Sequence, residues 1–413
     1  MKKSICVFED EKFENLLPIV FLHPVYDLLC GILTLREKVM HNFPSYKLIL
    51  HTRKILHNAV QERNPKLNVN NFGDEDILFI NGRLLIDKAI AKEIKKLETN
   101  EILKSNNDIV AANVSNNSLQ SIFRDNSEFL HFENVEFFEK QITAKLFVYP
   151  WELVNENGNQ IRADYSLLVR EEIILKKFPL VEYTNKKEIF VAKDAKIDPF
   201  VHLDASQGPI YISKNAHVMS HSLIQGPAFI GEDSVVKAHA AIYHDTSVGE
   251  VCKVGGEIEA SIIHSYSNKQ HEGFLGHAYL GSWVNLGAST NNSDLKNNYS
   301  SVSVLIKGKN VDTHSQFVGL IMGDHSKTAI NTMFNTGTIA GVSCNIFGAG
   351  FPARYIPSFS WGGTDFLRNY DIEKCIEVAR IVYSRRKLQL TQAEEELLRA
   401  VYEATKHEKV KKS

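Results

Sequence analysis

The stretch that decides the fold is Ile212-Ser-Lys-Asn-Ala-His-Val218-Met-Ser-His-Ser-Leu-Ile224-Gln-Gly-Pro-Ala-Phe-Ile230-Gly-Glu-Asp-Ser-Val-Val236-Lys-Ala-His-Ala-Ala-Ile242. An aliphatic residue returns every six positions and continues to Val248 and Val254. Four residues after each comes a small one: Ala216, Ser222, Ala228, Ser234, Ala240, Thr246, Cys252. Periods of 3.6 and 2 do not produce a fixed small residue in every repeat, so neither an amphipathic helix nor a simple alternating strand fits. A six-residue period is the mark of a solenoid, in which each hexad supplies one short strand and one corner of a triangular coil. The aliphatic points into the prism, and the small residue fits the crowded corner. After one three-residue insertion before Ile212, the register runs back through Leu203, Ile197 and Val191. It is expected to break at Ser261–Gln270 and Ser289–Ser301, and to resume at Leu280, Leu286, Val318, Ile330 and Val342.

The glycines divide the chain in the same place. Of 23, only Gly31, Gly73, Gly82 and Gly158 precede residue 188, and the rest fall between Gly208 and Gly363. Residues 1–187 read as an α/β domain with a mainly parallel sheet, because short apolar runs at Ser4–Phe8, Lys47–His51, Asp76–Ile80 and Asp108–Val114 alternate with helical patterns. Thr34-Leu-Arg-Glu37 forms a capping box and Asp87 opens a further helix. Tyr165–Phe178 is expected to be a linking helix. The solenoid occupies 188–363. Residues 364–413 read as helices opened by Asp371 and by the capping box Thr391-Gln-Ala-Glu394, placed to cap the solenoid end, with a frayed tail at Lys409–Ser413.

Composition narrows the partners. With 47 Lys+Arg against 49 Asp+Glu, the chain is not built as a nucleic-acid binder. Five cysteines without CxxC spacing argue against a zinc ribbon or a disulfide scaffold. No window approaches the roughly 18 apolar residues of a membrane span, so a cytoplasmic protein is expected.

Hexad solenoids that coil left-handed typify a large acyltransferase superfamily, and a closer resemblance lies in His271-Glu-Gly-Phe-Leu-Gly-His-Ala-Tyr-Leu-Gly-Ser-Trp-Val-Asn-Leu-Gly-Ala-Ser-Thr290. It resembles, without gaps, the H-x-x-Y-x-G-D and V-N-x-G-A-G-T motifs of the bifunctional N-acetylglucosamine-1-phosphate uridyltransferase/glucosamine-1-phosphate acetyltransferases. Nearly the whole chain is similar to a divergent bacterial branch of that family, through Gly31–Lys38, Ile80–Leu85, Tyr149–Leu153, Asn268–His271, Thr290–Tyr299 and Ile356–Gly363. The resemblance implies a left-handed parallel β-helix acting as a homotrimer, with acetyl-CoA as co-substrate and an amino-sugar phosphate as acceptor. It puts His271 in the catalytic-histidine position. An imidazole suits that task because its pKa near 6.5 lets it take a proton from the attacking amine.

The departures from the pattern are specific. The family Tyr is Phe274 and the Asp of the GD pair is His277, which could act beside or instead of His271. Asn285 keeps its place, and the Asn after the second motif becomes Asp294. The family's sugar-phosphate cations fall on Ala241 and Glu259, which leaves Lys296, Lys327 and Arg354 as candidates to meet phosphates of a sugar or of coenzyme A. In the first domain the resemblance implies UTP or dTTP, a sugar-1-phosphate and Mg²⁺. Yet the position of the glycine-rich loop holds Phe8-Glu-Asp-Glu-Lys-Phe13, Arg and Lys of the following motif are His23 and Val25, and the metal-binding Asp is Arg83. The remaining polar candidates are Asp27, Arg36, Lys38, Asn81, Arg83 and Asp164. Val218–Ile242 also resembles zinc carbonic anhydrase-like hexad proteins, but the metal histidines would fall on Ser220 and Gln225, so no metal site is assigned. The competing readings are an acyltransferase only, or a non-catalytic trimeric scaffold or regulator, in either case with a degenerate first domain that merely binds sugar nucleotide.

Overall fold

The structure, a computed structural model, describes residues 4–123, 127–169 and 178–408. The first domain is built on a seven-stranded sheet in the order Asn68–Val69, Lys47–His51, Ser4–Phe8, Ile77–Asn81, Asp108–Val114, Glu101–Ser105, Phe138–Gln141. The first four strands are mutually parallel, and Asp108–Val114 runs antiparallel to both its neighbours. Ser4–Phe8 and Ile77–Asn81 are buried along their whole length, as expected of central strands covered on both faces. The helix Leu35–Asn42 starts at the expected capping box, and Asp87 accepts from the amide of Ile90 at 2.7 Å.

The linking helix is longer and earlier than its sequence suggests. It runs Pro150–Leu168, with Pro150 in the first turn where its missing N–H costs nothing. Residues 170–177, the second part of the expected helix, lie outside the described residues. Its buried stripe, Trp151, Val154, Ile161 and Tyr165, packs on the outer side of the next domain against Phe229, Ile262 and Tyr279.

That domain is the three-sided parallel β-helix. One face is a nine-stranded sheet from Ile189–Val191 to Tyr355–Ile356. A second has six strands, from Glu182–Thr184 to Phe274–Gly276. The third runs from Lys196–Ile197 to Asn268–Lys269, then through bridges of Asn285 to Asn268 and Lys327 into four more strands. The aliphatics from Ile212 to Val254 are all fully buried. The small residues follow corner residues held at positive φ, among them Asn215, His221, Asp233 and His239. Ser234 shows why smallness matters there: its hydroxyl donates to Gly249 O at 2.7 Å and accepts from Cys252 N at 2.9 Å, inside the corner.

Two expectations about the register are corrected. Ser261–Gln270 is not a break, because Ile262–Ile263 and Asn268–Lys269 pair with the coils before them. The six-step is lost because Gly255-Gly256 forms a shortened corner and because Lys269 takes an inward position. Its ammonium is met by the carbonyls of Gly255 at 3.0 Å and His271 at 2.6 Å. After an excursion at Ser293–Phe317 the inward series is Met322, Thr328, Phe334, Ala340 and Ile346, six apart. Val318 and Val342 are buried on outer faces, and Ile330 is 68% exposed.

The C-terminal helices, Ile372–Ser384 and Gln392–Thr405, do not cap the coil. Cys375, Ala379, Leu397, Leu398 and Val401 join the core of the first domain, Arg63 pairs with Glu394 at 3.3 Å, and Tyr383 stacks on Trp283 at 4.1 Å. The last coil is closed instead by Leu367–Asn369, which runs antiparallel to Ser360–Gly362 and covers its edge. The Lys409–Ser413 tail lies outside the described residues.

The corrected register makes a direct contrast. Phe334→Ala should cost about 3–5 kcal/mol by denaturant unfolding, whereas Ile330→Ala should stay within about 0.5 kcal/mol. The reverse ranking would restore the register that the sequence suggests.

Candidate functional site

The six polar candidates of the first domain fall into three separate networks. Asp27 pairs with Arg36 Nε at 3.0 Å, and Arg36 also donates to Asn64 at 2.9 Å. Lys38 Nζ lies 2.5 Å from Asp164, and both side chains are almost wholly buried. Asp164 also accepts from the amides of Ile32 and Leu33 at 2.9 and 3.1 Å, so this pair anchors the turn at Gly31. Neither pair is left open to a nucleotide phosphate.

Asn81 and Arg83 stand at the carboxyl ends of the central strands, where open α/β sheets bind ligands. The Arg83 guanidinium, fully buried, donates to Asp10 at 2.6 and 2.8 Å, to Asp108 at 3.0 Å and to Phe147 O at 3.0 Å. Asn81 donates to Asp10 at 2.8 Å, and Lys12 adds a second cation to Asp108 at 2.6 Å. A hard divalent ion needs several free oxygens. Here the two nearby carboxylates are already neutralised by a fixed guanidinium at the family's metal-Asp position, so the residues do not fit Mg²⁺. Among the described residues, no group of three or more His, Cys, Asp and Glu is arranged to hold a metal.

The loop that replaces the glycine-rich cradle is similarly committed. Glu9 is buried and accepts from the amides of Val25 and Arg53, the Thr52 hydroxyl and Arg53 Nε, all within 3.1 Å. Arg53 in turn ties down Val20 O at 2.6 Å and His23 O at 3.2 Å. The chain between them forms a 3₁₀ turn, Glu11–Leu16, capped by Asp10. His23 faces Asp324 of the β-helix at 3.4 Å.

In the β-helix, the strand Phe274–Gly276 separates His271 from His277, which stand at the two ends of one face. His271 is exposed, and among the described residues its side chain has no hydrogen-bond partner. His277 has positive φ and donates from Nδ1 to Asp294 Oδ2 at 2.9 Å. Phe317 stacks on its ring at 4.9 Å, and Leu295 bridges to Phe317. Gly276 lets the Asp294 carboxylate and the Phe274 ring approach closely: a Cβ there would lie 2.4 Å from both, so either would have to move. Asn292 braces the same peptide, accepting from Gly276 N at 3.0 Å and donating to Gly276 O at 2.9 Å.

A cavity of about 340 Å³ is lined by Ser293, Leu295, Lys296, Asn297, Asn335, Thr336 and Arg354. Lys296 donates to Ser301 O at 2.5 Å, and Arg354 reaches Ser303 O, so both cations stand on the excursion's rim. Lys296 and Arg354 thus share this cavity, while His277 and Asp294 form a separate pair that reaches it only through the chain neighbours of Asp294. Asn285 and Lys327 both lie on the third face, where Asn268 links Asn285 to Arg386 of the C-terminal region. Lys327 donates to His325 O at 2.7 Å, and burial pushes its pKa down to about 8. Sequence reasoning missed Phe317, which carries no motif. It also missed Lys269, whose inward place could have been found by counting six from Ile263.

Arg83 is the test of the first domain. Arg83→Met should cost about 2–4 kcal/mol in denaturant unfolding, below the full price of a broken buried pair because both carboxylates still reach water. Burial opposes ionisation of Asp108, but Lys12 and Arg83 hold its pKa below the ordinary 3.8. Its folded pKa therefore lies below its unfolded value. The stabilisation is complete above that unfolded value and is lost as pH falls through the folded one. Arg83→Met should flatten this acid limb of the stability curve, and an unaltered limb would show that the pair does not stabilise the domain.

Residues 5–173 match the sugar nucleotidyl transferase family. The chain is 30% identical over 132 residues to the bifunctional protein GlmU of Methanocaldococcus jannaschii, covering 32% of this chain and 27% of that protein. It is 33% identical over 143 residues to the bifunctional sugar-1-phosphate nucleotidylyltransferase/acetyltransferase of Sulfurisphaera tokodaii, covering 34% and 36%. The matches thus span roughly a quarter to a third of these curated relatives. Among solved structures, Arabidopsis UDP-N-acetylglucosamine acyltransferase aligns with 51% of this chain and 77% of its own, at 13% identity and a TM-score of 0.26. At that score the likeness adds nothing to the fold, which rests on the strand pairing itself. The chain is thus similar to the sugar nucleotidyl transferase family over residues 5–173, and to bifunctional sugar-1-phosphate nucleotidyltransferase/acetyltransferases over about a third of its length.

Proposed function

We propose that the β-helix transfers an acetyl group from acetyl-CoA to the nitrogen of an amino-sugar phosphate of the UDP-N-acetylglucosamine type, with His277 as general base. The observation that carries this reading is the His277–Asp294 pair, with Lys296 and Arg354 in the cavity lined by the chain neighbours of Asp294. Because Nδ1 donates to a carboxylate, the neutral ring presents Nε2 as its acceptor, the arrangement a base requires. The sugar amine attacks the thioester carbonyl and passes a proton to Nε2. The tetrahedral intermediate then collapses, the C–S bond breaks, and the imidazolium returns the proton to the departing thiolate. Lys296 and Arg354 meet phosphate groups, while Asn285 and Lys327 support another face and take no part.

His271 is the alternative base, favoured by the motif and left exposed at the far corner. In a homotrimer, which the resemblance implies, a neighbour's coil would complete that corner. The first domain keeps the sheet of a nucleotidyl transferase, but its carboxylates are bound to Arg83, and Mg²⁺-dependent transfer from UTP or dTTP is not assigned to it.

Thiol release from acetyl-CoA with a panel of amino-sugar phosphates tests this directly. His277→Ala should lower kcat by about 10²–10⁴, the range for loss of a positioned base, and Asp294→Asn by a smaller factor. Full activity in His277→Ala with loss in His271→Ala would transfer the role to His271. Pyrophosphate release from UTP or dTTP with any sugar-1-phosphate would return nucleotidyl transfer to the first domain.

A further inference from the structure

The chain segment that carries Asp294, Lys296 and Phe317 leaves the β-helix after Asn292 and re-enters it at Val318; its ends stay tied to the coil, Ser293 N donating to Phe334 O at 2.8 Å and Val318 N to Asp294 O at 2.9 Å, but its middle is not part of the coil stack. Its middle forms an antiparallel hairpin, Ser303–Ile306 with Lys309–Asp312. A two-stranded hairpin alone is marginal in water. This one is held between two surfaces: Val302 and Val304 lie against Gly337 of the coil and Arg354 reaches Ser303 O, while the first domain covers its other side. Val302, Val304 and Ile306 alternate along the strand and are buried in a cluster with Leu16, Ile19 and Val20. Leu305, Ile306 and Lys307 face Leu17, Pro18 and Phe21 across a small cavity, and Lys307 pairs with Glu14. At the hairpin's base, Ser315 accepts from Asn155 of the linking helix at 3.1 Å, and its carbonyl accepts from Val302 N at 2.8 Å.

Leu16–Phe21 follow directly on the loop that stands where a nucleotidyl transferase would cradle phosphates. Here that region is aliphatic, contains no glycine and is clamped by Glu9 and Arg53. From this juxtaposition we infer that the first domain acts as the mount of the acyl-transfer site: its remodelled loop docks the hairpin and so holds Asp294 and Phe317 against His277. Glu14, Leu16, Ile19 and Val20 are positioning residues that act through the excursion and touch no substrate. The inference rests on the reading of the β-helix as an acyltransferase, and it accounts for why a nucleotidyl transferase sheet persists after its metal carboxylate became Arg83.

The test uses the full chain with Val304→Ser/Ile306→Ser, residues outside the His277 pair and the cationic cavity. Amide hydrogen exchange of residues 293–301 and 314–318 should quicken at least tenfold, while the coils from Ile212 to Val254 keep wild-type protection. The kcat of acetyl transfer should fall about tenfold or more. A charge swap supplies the control against general damage: Lys307→Glu should lower kcat, and adding Glu14→Lys should restore it. Unchanged exchange in the excursion, or faster exchange with unchanged kcat, would overturn the inference. If the wild-type chain acetylates no amino sugar, the acyltransferase reading falls, and the exchange measurement still decides whether the first domain holds the excursion.

Discussion

Everything in this chain is arranged around the stacking of inward side chains along the prism of the β-helix. Each coil presents one residue per face to the interior, and each must sit on the residue one coil below. Burying these aliphatics is worth about 1.5–3 kcal/mol apiece before the entropy of ordering the coil. The stack fixes rise and register, and it leaves chemistry only the outward residues and the corners. A site can then be made in two ways: by substituting corner residues, or by letting the chain leave the coil and return. Both occur on either side of Phe274–Gly276. His271 is a corner substitution above the inward Lys269, and His277 meets an excursion.

The same constraint explains how the two domains are joined. One face of the prism is given over to the linking helix, and the contact is polar as well as apolar. Asn157 accepts from Gly31 N at 2.7 Å and donates to Asp245 O at 2.8 Å, while Ser247 donates to Gly31 O at 2.7 Å. Tyr279 accepts from and donates to Leu29 at 3.1 and 3.2 Å. The approach is so close that a Cβ at Gly158 would lie 1.7 Å from the Asp245 carboxylate. Three of these partners, Asp245, Ser247 and Tyr279, belong to hexad coils, so the first domain is docked by the coil's own geometry and not by a flexible tether.

Which parts of this were legible in the sequence follows from how local their causes are. The hexads from Ile212 to Val254 could be read because each inward site happens to be aliphatic. The capping boxes at Thr34 and Thr391 could be read because their partners lie three residues away. The later coils were misread because Met322, Thr328, Phe334 and Ala340 fill the same inward sites with different residue types. The C-terminal helices were misplaced because nothing local says which surface an amphipathic stripe will meet. The six polar candidates of the first domain were grouped by resemblance, whereas ion pairing sorted them: Lys38 to Asp164 and Arg83 to Asp10 and Asp108, across separations no window reveals.

The Arg83 network and the His277 pair are opposite uses of one element, a carboxylate fixed beside a nitrogen base. Around Arg83 the guanidinium is permanently charged and fully buried, so Asp10 and Asp108 are held as structural counter-ions. At His277 the base is an imidazole, still partly exposed, whose second nitrogen is uncommitted. There the carboxylate accepts from Nδ1 and leaves Nε2 uncommitted. One arrangement closes the carboxyl end of the first domain's sheet. The other opens a corner of the coil. The two halves of the chain therefore differ in which nitrogen base each carboxylate meets.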